Sequence, residues 1–262
     1  MEVIILPDPQ QAALLAARII AKELRAKPDL VLGLATGRTM ERVYAGLVAL
    51  HREEGLDFSR CSTFNLDEYI GIPAEHPASY RSYMEAHLFR LVNLVGARTH
   101  LPDGMAADLG AESRGYEARL REAGGIDLQL LGLGSDGHIG FNEPLSALLS
   151  RTREKALTPA TRQQNAPMFG GEPGQVPARA ITMGVGTILD SRRCLLLATG
   201  AEKAAILTRA VEGPITAMVT ASALQLHPNC QVVVDEAAAA RLQGVDYYRW
   251  IFRNEPEWAD FR

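Results

Sequence analysis

The sequence predicts an α/β protein: a single open, mostly parallel, Rossmann-like sheet with helices on both faces and an irregular, lid-like segment at residues 145–178. Three observations carry this expectation. Short apolar runs alternate with longer amphipathic stretches, the rhythm of strands joined by crossover helices. Several of the apolar runs end in small-residue, glycine-containing turns that open into a helix. No repeat or low-complexity linker divides the chain, so its 262 residues are expected to form one domain, 1–262.

The elements follow in order. Residues 3–6 read as a strand, and 10–27 as a helix, with Leu14, Leu15, Ala17, Ile19, Ile20 and Leu24 at helical spacing. Residues 30–34 form a strand, 39–54 a helix and 61–66 a strand. Helices are expected at 79–89 and 111–123, and strands at 126–133 and 194–199. A helix at 202–211 and a late strand at 230–234 complete the pattern. The segment 145–178 contains Gly170-Gly171-Glu172-Pro173-Gly174 and little periodicity, so it reads as a lid or as a plain surface excursion.

Composition excludes several classes. The net charge is −4 and no basic block occurs, which argues against nucleic acid as a partner. No apolar run reaches the roughly 18–20 residues of a membrane span, and the N-terminus lacks the basic region of a signal peptide. Cys61, Cys194 and Cys230 are widely spaced and lie in or beside apolar runs, which reads as reduced core thiols in a cytoplasmic protein.

Four strand ends carry chemistry. After the run 126–133 comes Gly134-Ser135-Asp136-Gly137-His138-Ile139-Gly140-Phe141-Asn142-Glu143-Pro144, which sets a histidine between two carboxylates. Such a histidine can be held in one orientation and its proton affinity tuned; the competing reading is a turn with a surface histidine. After 30–34 come Ala35-Thr36-Gly37-Arg38-Thr39, whose free backbone amides and the Thr36 and Thr39 hydroxyls would suit a phosphate, or simply cap a helix. It is neither a Walker A loop nor G-x-G-x-x-G. After 61–66 come Asp67 and Glu68; adjacent side chains on an extended segment point apart, and Asp67 is chosen to face the ligand. After 194–199 come Gly200-Ala201-Glu202-Lys203, where a lysine in a first helical turn opposes the helix dipole unless an anion sits there; otherwise it is a solvated lysine. In a parallel sheet all four loops emerge on one edge, so the implied ligand is a small anion whose reacting carbon lies near carboxylates and a histidine.

With these residues in place, the chain resembles the glucosamine-6-phosphate deaminases, also called glucosamine-6-phosphate isomerases. The likeness runs from 32–39 through Asn65-Leu66-Asp67-Glu68-Tyr69, Glu75-His76-Pro77-Ala78-Ser79-Tyr80 and 134–144. It continues through Thr182-Met183-Gly184-Val185-Gly186-Thr187, 200–203 and Leu224-Gln225-Leu226-His227-Pro228. The related 6-phosphogluconolactonases share the Asp-Gly-His core, but typically continue Thr-Ala-Ser-Leu-Phe-Pro and carry Arg where Tyr69 stands. The resemblance implies conversion of glucosamine 6-phosphate and water to fructose 6-phosphate and ammonia, with no metal and no organic cofactor. It implies that His138 assists ring opening, that Asp136 and Glu143 orient it, and that Asp67 moves a proton between C2 and C1. It implies phosphate binding by Thr36, Gly37, Thr39 and Lys203; Arg38 is expected to add its charge there although it departs from the family, and Arg162 and Arg179 are open candidates that could equally be surface residues. The partner is a small sugar phosphate; a homo-oligomer is left open.

Two departures stand out. Arg38 occupies a place where the family usually has Gly or Ser, and Pro167 stands where an Asn-Ser-Arg-Phe-Phe phrase supplies a phosphate-binding arginine. Some members are hexamers activated by N-acetylglucosamine 6-phosphate. Of the matching residues Ser146, Arg153 and Lys155 are kept, Ala156 replaces a threonine, and Tyr247, Tyr248 and Arg249 do not align with the expected tyrosine. The rival functions are a 6-phosphogluconolactonase-type hydrolase and a non-catalytic sugar-phosphate sensor.

Overall fold

The computed structural model describes residues 1–261. Its main sheet has seven parallel strands in the order β1, β10, β9, β6, β2, β3, β5. These are β1 (Glu2–Leu6), β2 (Val31–Leu34), β3 (Ser62–Asn65), β5 (Thr99–His100), β6 (Leu128–Gly132), β9 (Cys194–Ala198) and β10 (Cys230–Asp235). β2, β9 and β10 are buried at every residue, as expected for parallel strands covered on both faces.

Helices α1 (Pro9–Ala26) and α2 (Arg38–Glu54) pack against each other, and α1 also lies against β1, β9 and β10. The remaining helices are α3 (Tyr80–Met84), α4 (Leu109–Glu122), α5 (Pro159–Asn165), α6 (Val185–Leu189), α7 (Ala204–Val211), α8 (Glu236–Ala239) and α9 (Val245–Asn254). From β2 the chain adds strands outward to β3 and β5, and from β6 outward to β9 and β10. The order therefore reverses between β2 and β6, and a crevice opens there at the carboxyl ends of the strands.

The structure corrects the expected architecture in four places. A second, antiparallel sheet of β4 (Asp67–Tyr69), β8 (Arg179–Thr182) and β7 (Arg153–Ala156) joins the first. The segment 145–178 is thus not irregular throughout: it holds β7 and α5, and Thr158 caps α5 by accepting the Thr161 amide. Polar, half-exposed side chains on β7 hid the strand. The expected helix at 79–89 is α-helical only to Met84 and continues as a π-helical turn, Glu85–Phe89. The helix expected from 202 begins as a 3-10 turn, Ala201–Lys203, before α7. All three cysteines are free and buried. No helix among the described residues is long and apolar enough to cross a membrane.

Candidate active site

Leu66 alone separates β3 from β4, and its backbone bonds to both sheets: its amide donates to Leu34 and its carbonyl accepts from Met183. Asp67 therefore stands where the chain passes from the large sheet to the small one. Its side chain is buried and has no hydrogen bond or ion pair among the described residues. Burial, helped by the neighbouring charge of Glu68, pushes its pKa well above the usual carboxylate range. Glu68 points the other way, as the alternation predicts. It accepts the amides of Tyr69, Tyr80 and Arg81 at 2.9–3.0 Å and so caps the start of α3.

The loop after β6 supplies the other groups. The Gly134 amide donates to the His138 carbonyl (2.9 Å), folding the loop back on itself. The His138 ring then lies over Gly134 so closely that a Cβ there would stand 2.4 Å from Nε2. His138 Nδ1 lies 2.6 Å from Asp136 Oδ1 and 3.8 Å from Glu143 Oε2. Glu143 Oε1 accepts the Thr158 amide (3.0 Å), which fixes the carboxylate and leaves Oε2 buried without a hydrogen-bond partner. Burial works to raise the Asp136 pKa, but the adjoining His138 outweighs it and holds the carboxyl below its ordinary value.

The two halves meet at Gly140 and Thr182. A side chain on Gly140 (φ +57°) would reach to 2.9 Å from Thr182 Oγ1 and 3.4 Å from Asp67 Oδ2. Thr182 is the cross-strand partner of Asp67, and its hydroxyl accepts the Phe141 amide at 3.0 Å. Thr182 thus ties the strand of Asp67 to the loop of His138, a role that sequence reading missed because a buried threonine in a strand carries no pattern of its own.

Across the crevice, Gly37 caps α2 with no side-chain hydrogen bond; the Met40 amide turns back to the Gly37 carbonyl (2.9 Å), and the Arg38 and Thr39 amides make no hydrogen bond among the described residues. The Thr36 hydroxyl meets the buried Tyr80 hydroxyl, which donates to Tyr69 (3.2 Å). Arg38 is exposed and makes no ion pair or side-chain hydrogen bond among the described residues. Lys203 Nζ donates to the Leu133 carbonyl (2.8 Å), which satisfies part of the conflict anticipated at that helix start. Burial lowers its pKa, while Glu202 and Asp136 act against the shift. A cavity of about 300 Å³ lies elsewhere, at the opposite edge of the sheet beside Ile126 and Ser191, and is lined by none of the candidate residues.

The family model described as glucosamine-6-phosphate isomerases/6-phosphogluconolactonase matches residues 9–233. The chain belongs to this family. A glucosamine-6-phosphate deaminase of Arthrobacter sp. (strain FB24) is 50% identical over 258 residues, covering 98% of this chain and 99% of its own. One of Hahella chejuensis (strain KCTC 2396) is 51% identical over 251 residues, covering 96% and 95%. Among solved structures, a monomeric glucosamine-6-phosphate deaminase has a TM-score of 0.90 at 43% identity, covering 92% of this chain and 100% of its own. The 6-phosphogluconolactonase from Trypanosoma brucei shares the fold, with a TM-score of 0.71 at 22% identity over 92% of this chain and 98% of its own.

Within this isomerase/lactonase family, the positions singled out by departure divide clearly. Pro167 is exposed at the start of a 3-10 turn, Ala166–Phe169. Arg162 donates to the Val176 and Gly174 carbonyls, which hold it in place without neutralising it, and Arg179 pairs with Glu154 at 2.7 Å. Arg153 donates to Asn142 Oδ1 (2.7 Å), and the Ser146 hydroxyl is buried without a partner. Tyr248 donates to Glu212 (2.9 Å), Tyr247 is exposed, and Arg249 pairs with Glu236. Tyr69 packs with Tyr80, Phe141 and Phe169 in a second aromatic core.

Proposed function

We propose that this chain is a glucosamine-6-phosphate deaminase, converting glucosamine 6-phosphate and water to fructose 6-phosphate and ammonia. The observation that carries the reading is that Asp67, a buried carboxyl with no side-chain partner among the described residues, stands beside the loop that sets a buried histidine between two carboxylates. A proton next to a carbonyl is taken by a positioned base in a partly dry pocket, and Asp67 fits that task. In the proposed sequence His138 shuttles the proton that opens the sugar ring, with Asp136 and Glu143 orienting the imidazole. Asp67 removes the proton at C2 and returns it at C1, which leaves an imine at C2. Water adds to the imine and ammonia departs, so atoms balance and no redox partner is needed.

The phosphate is assigned to the open start of α2, with Thr36, Gly37, Thr39, Lys203 and Arg38 around it. Arg38 takes the charge that Pro167 cannot supply; its guanidinium has no partner among the described residues and can bind phosphate oxygens in pairs. Segment 145–178 is assigned the role of a lid: α5 meets the catalytic loop where Ser135 N–H reaches Gln164 (3.4 Å) and Thr158 N–H reaches Glu143. A cytoplasmic location belongs to the same proposal, and the three unpaired, buried thiols agree with it. The test is ammonia release from glucosamine 6-phosphate, with Asp67→Asn in parallel. Turnover that collapses in the variant supports the reaction and the base together. A folded wild type that releases no ammonia refutes the reading, and 6-phosphogluconolactone is then the substrate to try.

A further inference from the structure

Glu143 Oε2, in the catalytic loop, is buried with no hydrogen-bond partner among the described residues and lies 3.8 Å from the buried His138 Nδ1. Asp136 Oδ1 is 2.6 Å from the same nitrogen, and one ligand atom from each of the three residues falls within 4.8 Å of the others. A tetrahedral ion with bonds of about 2.0–2.1 Å separates its ligands by about 3.3–3.4 Å, so the observed spacings straddle the required one. The Glu143 carboxylate is already fixed through its other oxygen by the Thr158 amide, and Asp136 forms the more open side, a route for entry. Two carboxylates here face one imidazole, and Lys203, the cation near Asp136, is engaged with the Leu133 carbonyl.

We propose that Asp136, His138 and Glu143 form a binding site for a divalent d-block cation, zinc above all, and that the ion acts as an inhibitor rather than a cofactor. One imidazole nitrogen and two carboxylates match zinc. They do not match calcium or magnesium, which take oxygen ligands in larger number. Zinc on Nδ1 displaces whatever proton that nitrogen carries and holds the imidazole away from proton transfer. Its competition with the sugar phosphate rests on the function proposed above; its binding does not.

The test is calorimetric titration of zinc chloride into the purified protein, the variants His138→Gln and Glu143→Gln, and the control His87→Gln. Circular dichroism checks that each variant is folded, and Asp136→Asn replaces any that is not. The expected result is one zinc per chain in wild type and control, weakened at least tenfold in the site variants, since even an outer-shell partner is worth 10–100-fold. Cobalt(II) bound at the same site should show the visible absorption of a four-coordinate ion, and magnesium should give no binding heat. Undiminished zinc binding in both site variants, or a wild-type Kd weaker than about 0.1 mM, overturns the proposal. In the activity arm, zinc should raise the apparent KM for glucosamine 6-phosphate. A protein that binds zinc as described but releases no ammonia contradicts the deaminase reading and leaves the metal site standing.

Discussion

Replacing Gly134 by alanine tests whether the position of the His138 ring limits catalysis. Gly134 is not in a left-handed backbone conformation, so alanine meets no strain from φ, and the effect is steric alone. The new Cβ would stand 2.4 Å from Nε2 and 2.5 Å from Cδ2 and Cε1. Carbon contacts settle at about 3.5 Å or more, so the imidazole must retreat by about 1 Å. It has little room to do so: the ring is buried, and Asp136 and Glu143 occupy its Nδ1 side. A displacement of about 1 Å from the productive geometry costs on the order of 100-fold in rate. Overpacking destabilises by about 1–3 kcal/mol, partly offset by the smaller entropy of the unfolded chain. A net loss of about 1–2 kcal/mol lowers Tm by roughly 2–8 °C. The assay is ammonia release from glucosamine 6-phosphate across a substrate range, with thermal unfolding alongside. Gly132→Ala is the control, because its Cβ would meet only Met40 Cε, at 3.4 Å. The expected result is a kcat about 100-fold lower with KM little changed, because the start of α2 is untouched. A folded Gly134→Ala protein whose kcat stays within about threefold of wild type refutes the argument, since ring position would then not matter at the 1 Å scale.

Thr182→Val keeps the shape but strands the buried Phe141 amide, at a cost of about 1–3 kcal/mol; kcat should fall, and Thr182→Ser should restore it, whereas a silent valine variant would remove Thr182 from its positioning role. Asp67→Asn should abolish ammonia release yet raise Tm at neutral pH. The sign follows from the raised folded-state pKa: the protonated carboxyl favours the fold at low pH, and that stabilisation is lost as pH rises through the elevated pKa. For the same reason the acid limb of wild-type kcat should have its midpoint above the ordinary carboxylate range; a midpoint near the model-compound value for aspartate would assign the base elsewhere. Arg38→Ala removes a charge-assisted contact worth about 1.5–3 kcal/mol, so KM should rise about 10- to 150-fold, while Arg42→Ala, exposed on the same helix, should not move it. Equal KM values for the two variants would end the compensation argument.

The parallel sheet was legible because its strands are buried on both faces and therefore largely apolar, as in β9 and the three valines of β10. The small antiparallel sheet was not, because β4 spells Asp-Glu-Tyr and β7 Arg-Glu-Lys-Ala, strings with no apolar alternation. Alternation alone showed that Asp67 and Glu68 point to opposite sides, but what Glu68 does, capping α3, depends on a helix start 12 residues further on. The reason for glycine at 134 was likewise invisible: it lies in the His138 ring folded back over it, and no local pattern encodes that approach.

The division between legible and hidden residues has a physical basis that bears on the site itself. Groups that meet a ligand must stand at strand ends, and strand ends are marked in sequence by small residues and polar side chains. Groups that hold those groups in place lie inside the protein, where a hydroxyl such as Thr182 or a missing side chain such as Gly140 looks like any other packing choice. The Asp67 side chain has no partner among the described residues, so its orientation depends on backbone placement by Leu66 and Thr182 rather than on hydrogen bonds to its own carboxyl. A carboxyl held in that way remains free to accept a proton from a substrate, which a hydrogen-bonded one such as Glu68 is not.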